Sequence, residues 1–130
     1  MNYKIIIPLN PVTKKNSSRV VRAGKYVRVL PSKAFEAYQD KAGWYLGHYK
    51  GLDLSKPLEV KCLFYMQTRR RVDLANLLNG IDDVLVHYDV LADDNSNIIT
   101  SHDGSRVLYD KDNPRTEIYI SERNEIDEHC

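Results

Sequence analysis

A chain of 130 residues, 42% of them hydrophobic and 28% charged, is long enough for one ordinary core and has the make-up of a single globular domain. No apolar run approaches the roughly 20 residues that a membrane span needs, and no signal-peptide pattern opens the chain, so a cytoplasmic protein is expected. The net charge of +1 hides a division: residues 1–71 carry 15 Lys/Arg against 4 Asp/Glu, whereas residues 72–130 carry 4 against 14. The basic half suits a polyanion and the acidic half a metal cation, unless the two halves mainly pair with each other in the fold.

Tyr3–Ile7 reads as a strand bounded by Pro8 and Pro11. Lys14 and Lys15 follow in a polar stretch. Then come Arg19, Arg22, Lys25 and Arg28, interleaved with valines and Tyr26 around Gly24. That is the pattern of a β-hairpin or long loop with a basic face, suited to nucleic acid or to an edge ribbon kept soluble by its charges. Pro31-Ser32 opens a helix with Ser32 as its cap. Phe35, Tyr38, Ala42, Tyr45, Leu46 and Tyr49 recur at three- and four-residue steps until Gly51. This stripe reads as core rather than as a platform for stacked bases. Gly43 and Gly47 weaken the helix but allow another backbone to approach closely.

Leu58, Val60, Cys62, Phe64 and Met66 alternate with Glu59, Lys61, Leu63 and Tyr65, a strand that is central or covered on both faces. It leads to Arg69, Arg70 and Arg71. A helix follows, capped by Asp73, with Leu74, Leu77, Leu78, Ile81, Val84, Leu85 and Tyr88 in one apolar stripe. Asn76, Asn79 or Gly80, and Asp83 fall on the other face, with Asp82 nearby but closer to solvent. Asp93-Asp94-Asn95 forms a turn. Ile98–Thr100 and Thr116–Ile120 read as strands joined by a polar loop over residues 103–115. The elements predict an α/β (α+β) domain over residues 1–121, a mixed sheet with two main helices, and an acidic tail over 122–130.

Several familiar sites are excluded. Asp93, Asn95 and Asn97 imitate the start of a calcium loop, but its sixth and twelfth positions are Ile98 and Gly104. There is no glycine-rich phosphate motif. His48, His87, His102 and His129, with Cys62 and Cys130, show no zinc spacing. What remains is a cation such as Mg²⁺ on the carboxylates of Asp73 and Asp94, with phosphates on Lys14, Lys15, Arg69, Arg70 and Arg71. Asp73 as a helix cap and Asp94 as a turn former also have sufficient structural reasons to exist.

The run Arg71-Val72-Asp73-Leu74-Ala75-Asn76-Leu77, followed by Asp83-Val84-Leu85, Asp93-Asp94 and Pro114-Arg115-Thr116-Glu117-Ile118, resembles the RusA-type Holliday-junction resolvases. Pro8-Leu9-Asn10-Pro11-Val12-Thr13-Lys14-Lys15 resembles that family's opening strand and basic loop. The resemblance implies a small α/β homodimer that cuts four-way DNA junctions with Mg²⁺, Mn²⁺ being an alternative. By the family's motif the acidic site falls on Asp73, Ala75 and Asp94, with Asp93 as the neighbouring candidate, and the family's helix lysine falls on Asn79. Ala75 binds no metal and Asn79 carries no charge. Asp103, Asp83 and Asn76 are the available substitutes, and a non-cleaving junction-binding protein is the alternative activity. A third reading is a regulatory domain that uses its basic face on an acidic protein partner.

Overall fold

The computed structural model describes residues 2–14, 19–30 and 32–123. Its elements are β1 (Asn2–Ile7), β2 (Arg19–Ala23), β3 (Tyr26–Leu30), α1 (Lys33–Leu46), a 3₁₀ turn (Gly47–Tyr49), β4 (Leu58–Met66), α2 (Leu74–His87), β5 (Ile99–Ser101), β6 (Arg106–Tyr109) and β7 (Arg115–Glu122). Strands β1, β7, β4 and β5 lie in that order in a mixed sheet, β6 also pairs with β4, and β2 and β3 form a separate ribbon.

Register explains the core. Tyr3 pairs with Ile120 and Ile120 with Val60; Ile5 pairs with Ile118 and Ile118 with Cys62; Ile7 pairs with Thr116 and Thr116 with Phe64. Because cross-strand partners share a face, these rows stack on one side of the sheet. There they bury against Phe35, Tyr38 and Leu46 of α1 and Leu77, Ile81, Val84 and Leu85 of α2. Each large apolar side chain so buried contributes about 1.5–3 kcal/mol. The other sheet face is polar and aromatic. Lys4 and Lys61 hold their ammonium groups 5.4 and 4.8 Å from the Tyr119 ring. Strand β4 is central as expected, but only one of its faces is covered.

Ser32 caps α1 by accepting from Phe35 N at 3.0 Å. The helix stops at Leu46 rather than running to Gly51, because Gly47 takes φ 52°, a turn glycine makes without steric cost. Gly43 does allow a close approach, by a side chain rather than a backbone. A Cβ there would stand 2.5 Å from the Tyr88 ring, whose hydroxyl donates to Gln39 O at 2.8 Å. Of the tyrosine stripe, Tyr38 is core and Tyr45 is exposed.

The polar loop expected over residues 103–115 contains a strand, β6. Strand β4 therefore pairs along one edge with two short parallel strands, β5 at Leu58–Glu59 and β6 at Leu63–Met66. Side chains bridge the break between them. The His102 ring nitrogen Nδ1 meets Val60 O at 2.8 Å, and Cys62 N donates to Ser105 Oγ at 3.0 Å. At the end of the domain, β7 continues to Glu122, and Arg123 N donates to Pro57 O at 2.9 Å. The structured part thus passes residue 121, while residues 124–130 of the expected tail lie outside those described.

Candidate active site

Helix α2 organises the candidate residues. Asp73 caps it in an extended conformation, its Oδ1 accepting from Ala75 N at 2.9 Å. Free N–H groups at a helix start favour this carboxylate, and one of its oxygens is committed to the cap. Ala75 and Asn79 are exposed and Asn76 is half-buried.

The downstream pair divides its work. Asp93 accepts from Asp94 N at 2.7 Å through Oδ1 and from Asn95 Nδ2 at 3.1 Å through Oδ2. Those bonds hold its carboxyl below the usual range. Asp93 is thus the turn former, and neither of these bonds uses the carboxylate of Asp94.

Asp82 departs from the sequence reading. It is 8% exposed rather than near solvent. Its Oδ2 lies 2.9 Å from His102 Nε2, and its Oδ1 is buried with no hydrogen-bond partner among the described residues. A carbonyl only accepts, so Val60 O requires a proton on His102 Nδ1. The Nε2–Oδ2 contact then holds a second proton, on the imidazole or on the carboxyl. The pair is neutral overall in either form. Burial raises the Asp82 carboxyl, as do the charges of Asp94 and Asp83 near it. The hydrogen bond to Asp82 raises His102 above its ordinary 6.5. Both directions favour the protonated pair. A signal for this existed: Asp82 lies four residues after Leu78 and three before Leu85, within the apolar stripe. Asp103 is exposed in the turn, and its neighbour His102 is the residue that reaches α2.

On the polar side of α2, Lys14 forms an ion pair with Asp83. This contact joins the basic and acidic halves of the chain. The loop behind β1 passes α2 at Gly80, where a Cβ would crowd the Phe35 ring at 3.0 Å and stand in ordinary contact with Val12 O at 3.6 Å and Lys14 N at 3.7 Å.

The same loop meets the arginine segment. Asn10 Oδ1 accepts from Gln67 N at 3.0 Å where β4 ends. Beyond it the Arg69 guanidinium stacks 4.0 Å from the Tyr109 ring centre. Arg69 and Arg70 line an open cleft of about 360 Å³ with Met66, Thr68, Val107, Leu108 and Tyr109. A stacked guanidinium keeps its in-plane donors for phosphate. Arg71 is exposed, and Lys15 lies outside the described residues. In the ribbon, Arg22 pairs with Val27 and Arg28 with Val21. If Arg69 and Arg70 contact phosphate, replacing both with Gln should weaken DNA binding and flatten the log–log salt dependence by about 0.9 per lost contact. A slope equal to that of the unsubstituted protein would remove them from the interface.

Among the described residues no three His, Cys, Asp or Glu side chains group as a metal site. The negative charge of Asp94 acts on the Asp82 carboxyl, and Asp73 caps the helix that carries Asp82. The donors are nonetheless hard oxygens. Mg²⁺ commonly takes only one or two carboxylates, with waters and phosphate oxygens completing its octahedron, so the donor set fits. No helix among the described residues is long and apolar enough to cross a membrane. A family model described as endodeoxyribonuclease RusA matches residues 8–121 of the 130. No curated protein matches the chain.

Proposed function

The chain belongs to the RusA endodeoxyribonuclease family, and from that premise we propose that it is a metal-dependent, structure-specific endonuclease that resolves four-way DNA junctions as a homodimer in the cytoplasm. The observation that carries this reading is the division of labour in the acidic pair. Asp93 accepts the bonds from Asp94 N and Asn95 Nδ2, and neither of these two bonds uses the carboxylate of Asp94. A turn former alone would not call for two successive aspartates.

Magnesium, or manganese, held by Asp94 and Asp73 would supply a polarised water and a counter-charge to the phosphorane-like transition state. The chain's own residues do the rest. Arg69 and Arg70, beside the cleft near Tyr109, hold the DNA backbone. Two-fold symmetry in a dimer matches the two opposed strands that must be cut.

A second reading, junction binding without cleavage, is favoured by Ala75, which leaves the motif one carboxylate short. One assay separates the two. With Mg²⁺, the protein should incise a synthetic four-way junction in two opposing strands, and chelation should stop it. Ala75→Asp, restoring a carboxylate two residues after Asp73, should raise the rate about tenfold, equivalent to about 1.4 kcal/mol of transition-state stabilisation. Tight binding with no incision by either protein, in Mg²⁺ or Mn²⁺, would leave the binding role in its place. Single nicks without their opposing partners would count against the dimer.

A further inference from the structure

The sequence of α2, from Leu74 to His87, contains no lysine or arginine. Its polar face, marked by Asn79 and Asp83, has no permanent positive charge of its own. Positive charge reaches that face from another element, through Lys14 of the loop after β1.

The placement of Lys14 is built rather than incidental. Thr13, the residue before it, is buried, and its neighbours Pro11 and Val12 are buried and half-buried. The loop backbone packs against α2 beside Gly80, with Lys14 N within ordinary contact range, 3.7 Å from where a Cβ would stand. The side chain then leaves this anchored backbone and ends on Asp83, with 40% of its surface still open to solvent. An anchored backbone beneath a half-open ammonium group suits a cation that meets a ligand and needs a holding partner when the ligand is absent. A flexible surface lysine has no such support.

We propose that Lys14 is a catalytic residue of this nuclease: its ammonium leaves Asp83 and contacts the phosphate being cleaved, stabilising negative charge that grows in the transition state. The inference rests on the cleavage reading given above. In the reaction, a water oxygen forms a new P–O bond as one P–O ester bond breaks. The proton lost by the water is balanced by the one gained at the departing alkoxide, so one water is added overall. Lys14 exchanges no proton and contributes only charge. Such charge acts mainly on the transition state, because the phosphate oxygens carry more of it there than in the bound junction.

The test uses single-turnover cleavage of a synthetic four-way junction at saturating protein with Mg²⁺. Lys14→Gln should slow the chemical step about 100-fold, in the range for losing one preorganised donor, with junction affinity changed less than about threefold. Asn79 lies four residues before Asp83, so a lysine there reaches the same part of the helix face. Lys14→Gln/Asn79→Lys should therefore recover at least about tenfold of the lost rate, which a structural role for the Lys14–Asp83 pair does not anticipate. Thermal melting of each variant reports whether the fold is intact. A Lys14→Gln rate within about threefold of the starting protein, or a loss that Asn79→Lys leaves unrecovered, overturns the inference while leaving the endonuclease standing. A starting protein that binds the junction but fails to cut it in either Mg²⁺ or Mn²⁺ overturns both.

Discussion

Asp94→Asn is expected to reduce junction cleavage about a thousandfold or more while junction affinity stays level or rises. An amide is a poorer ligand for a hard cation than a carboxylate, and each tenfold in rate corresponds to about 1.4 kcal/mol, so the loss amounts to about 4 kcal/mol. Affinity moves the other way because a negative charge that repels phosphate has been removed. The neighbouring position supplies the internal control. Asp93 uses its oxygens to accept from Asp94 N and Asn95 Nδ2, and an asparagine keeps one acceptor oxygen for that task. Asp93→Asn should therefore retain cleavage to within about tenfold, or about 1.4 kcal/mol. The reverse pattern, with Asp93→Asn inactive and Asp94→Asn unimpaired, would move the metal to the other carboxylate. Asp73→Asn should also silence cleavage, and its full retention would refute the assignment of the helix cap.

The largest effect on stability is expected at His102. Truncation to alanine leaves the Asp82 carboxylate buried without its partner and Val60 O without its donor. Breaking a buried pair by removing one member costs about 3–5 kcal/mol, and the low end applies because the His102 side chain is a quarter exposed. For a domain of this size about 3 kcal/mol corresponds to a fall in Tm of about 10 °C. Stability should also depend on pH with a definite sign. His102 is raised in the fold, so its contribution is complete below its unfolded value of 6.5 and is lost as pH climbs through the higher folded value. Asp82 is raised too, so its titration pushes in the same direction. Asp93, Asp110 and Glu117 are lowered, and their contributions disappear at the acid end instead. Melting between pH 6 and 9 should thus show a steeper decline in the parent protein than in His102→Ala, where Asp82 alone is left to titrate. Equal declines in the two proteins would place the alkaline loss elsewhere. Replacing the pair with two apolar residues is not expected to be neutral, since Val60 O would still need a donor.

The parts of this fold that could be read in advance are those where one local signal suffices. Period-two alternation located β4, and a cap followed by a stripe located α2 with Asp73 at its start. Position 82 is hidden from such a signal because a charged residue in a helix ordinarily faces solvent. Its spacing from Leu78 and Leu85 put it in the stripe, and the partner that makes burial tolerable lies 20 residues away on another element. Strand β6 failed because four residues, Arg106–Tyr109, give too short a pattern to stand out from a polar loop. Their pairing with β4 is decided by where the chain returns. The site divided along the same line. Asp73 and Asp94 were visible as motif positions, whereas the contact of Lys14 with Asp83 depends on a loop crossing α2 at Gly80, and no short window of sequence encodes that.

The broken edge beside β4 also bears on how the protein behaves when concentrated. An exposed strand edge is a template on which further chains add, and long flat edges are the hazardous ones. Here β5 and β6 offer only three and four residues, separated by the turn at Gly104, and Arg69 lies over Tyr109 at the β6 end. The opposite edge, β1, carries Lys4 and runs into Pro8, which has no N–H to donate. Neither side offers a growing stack of strands a long, flat start, so the interruption that His102 and Ser105 span also guards the sheet against fibrous self-association.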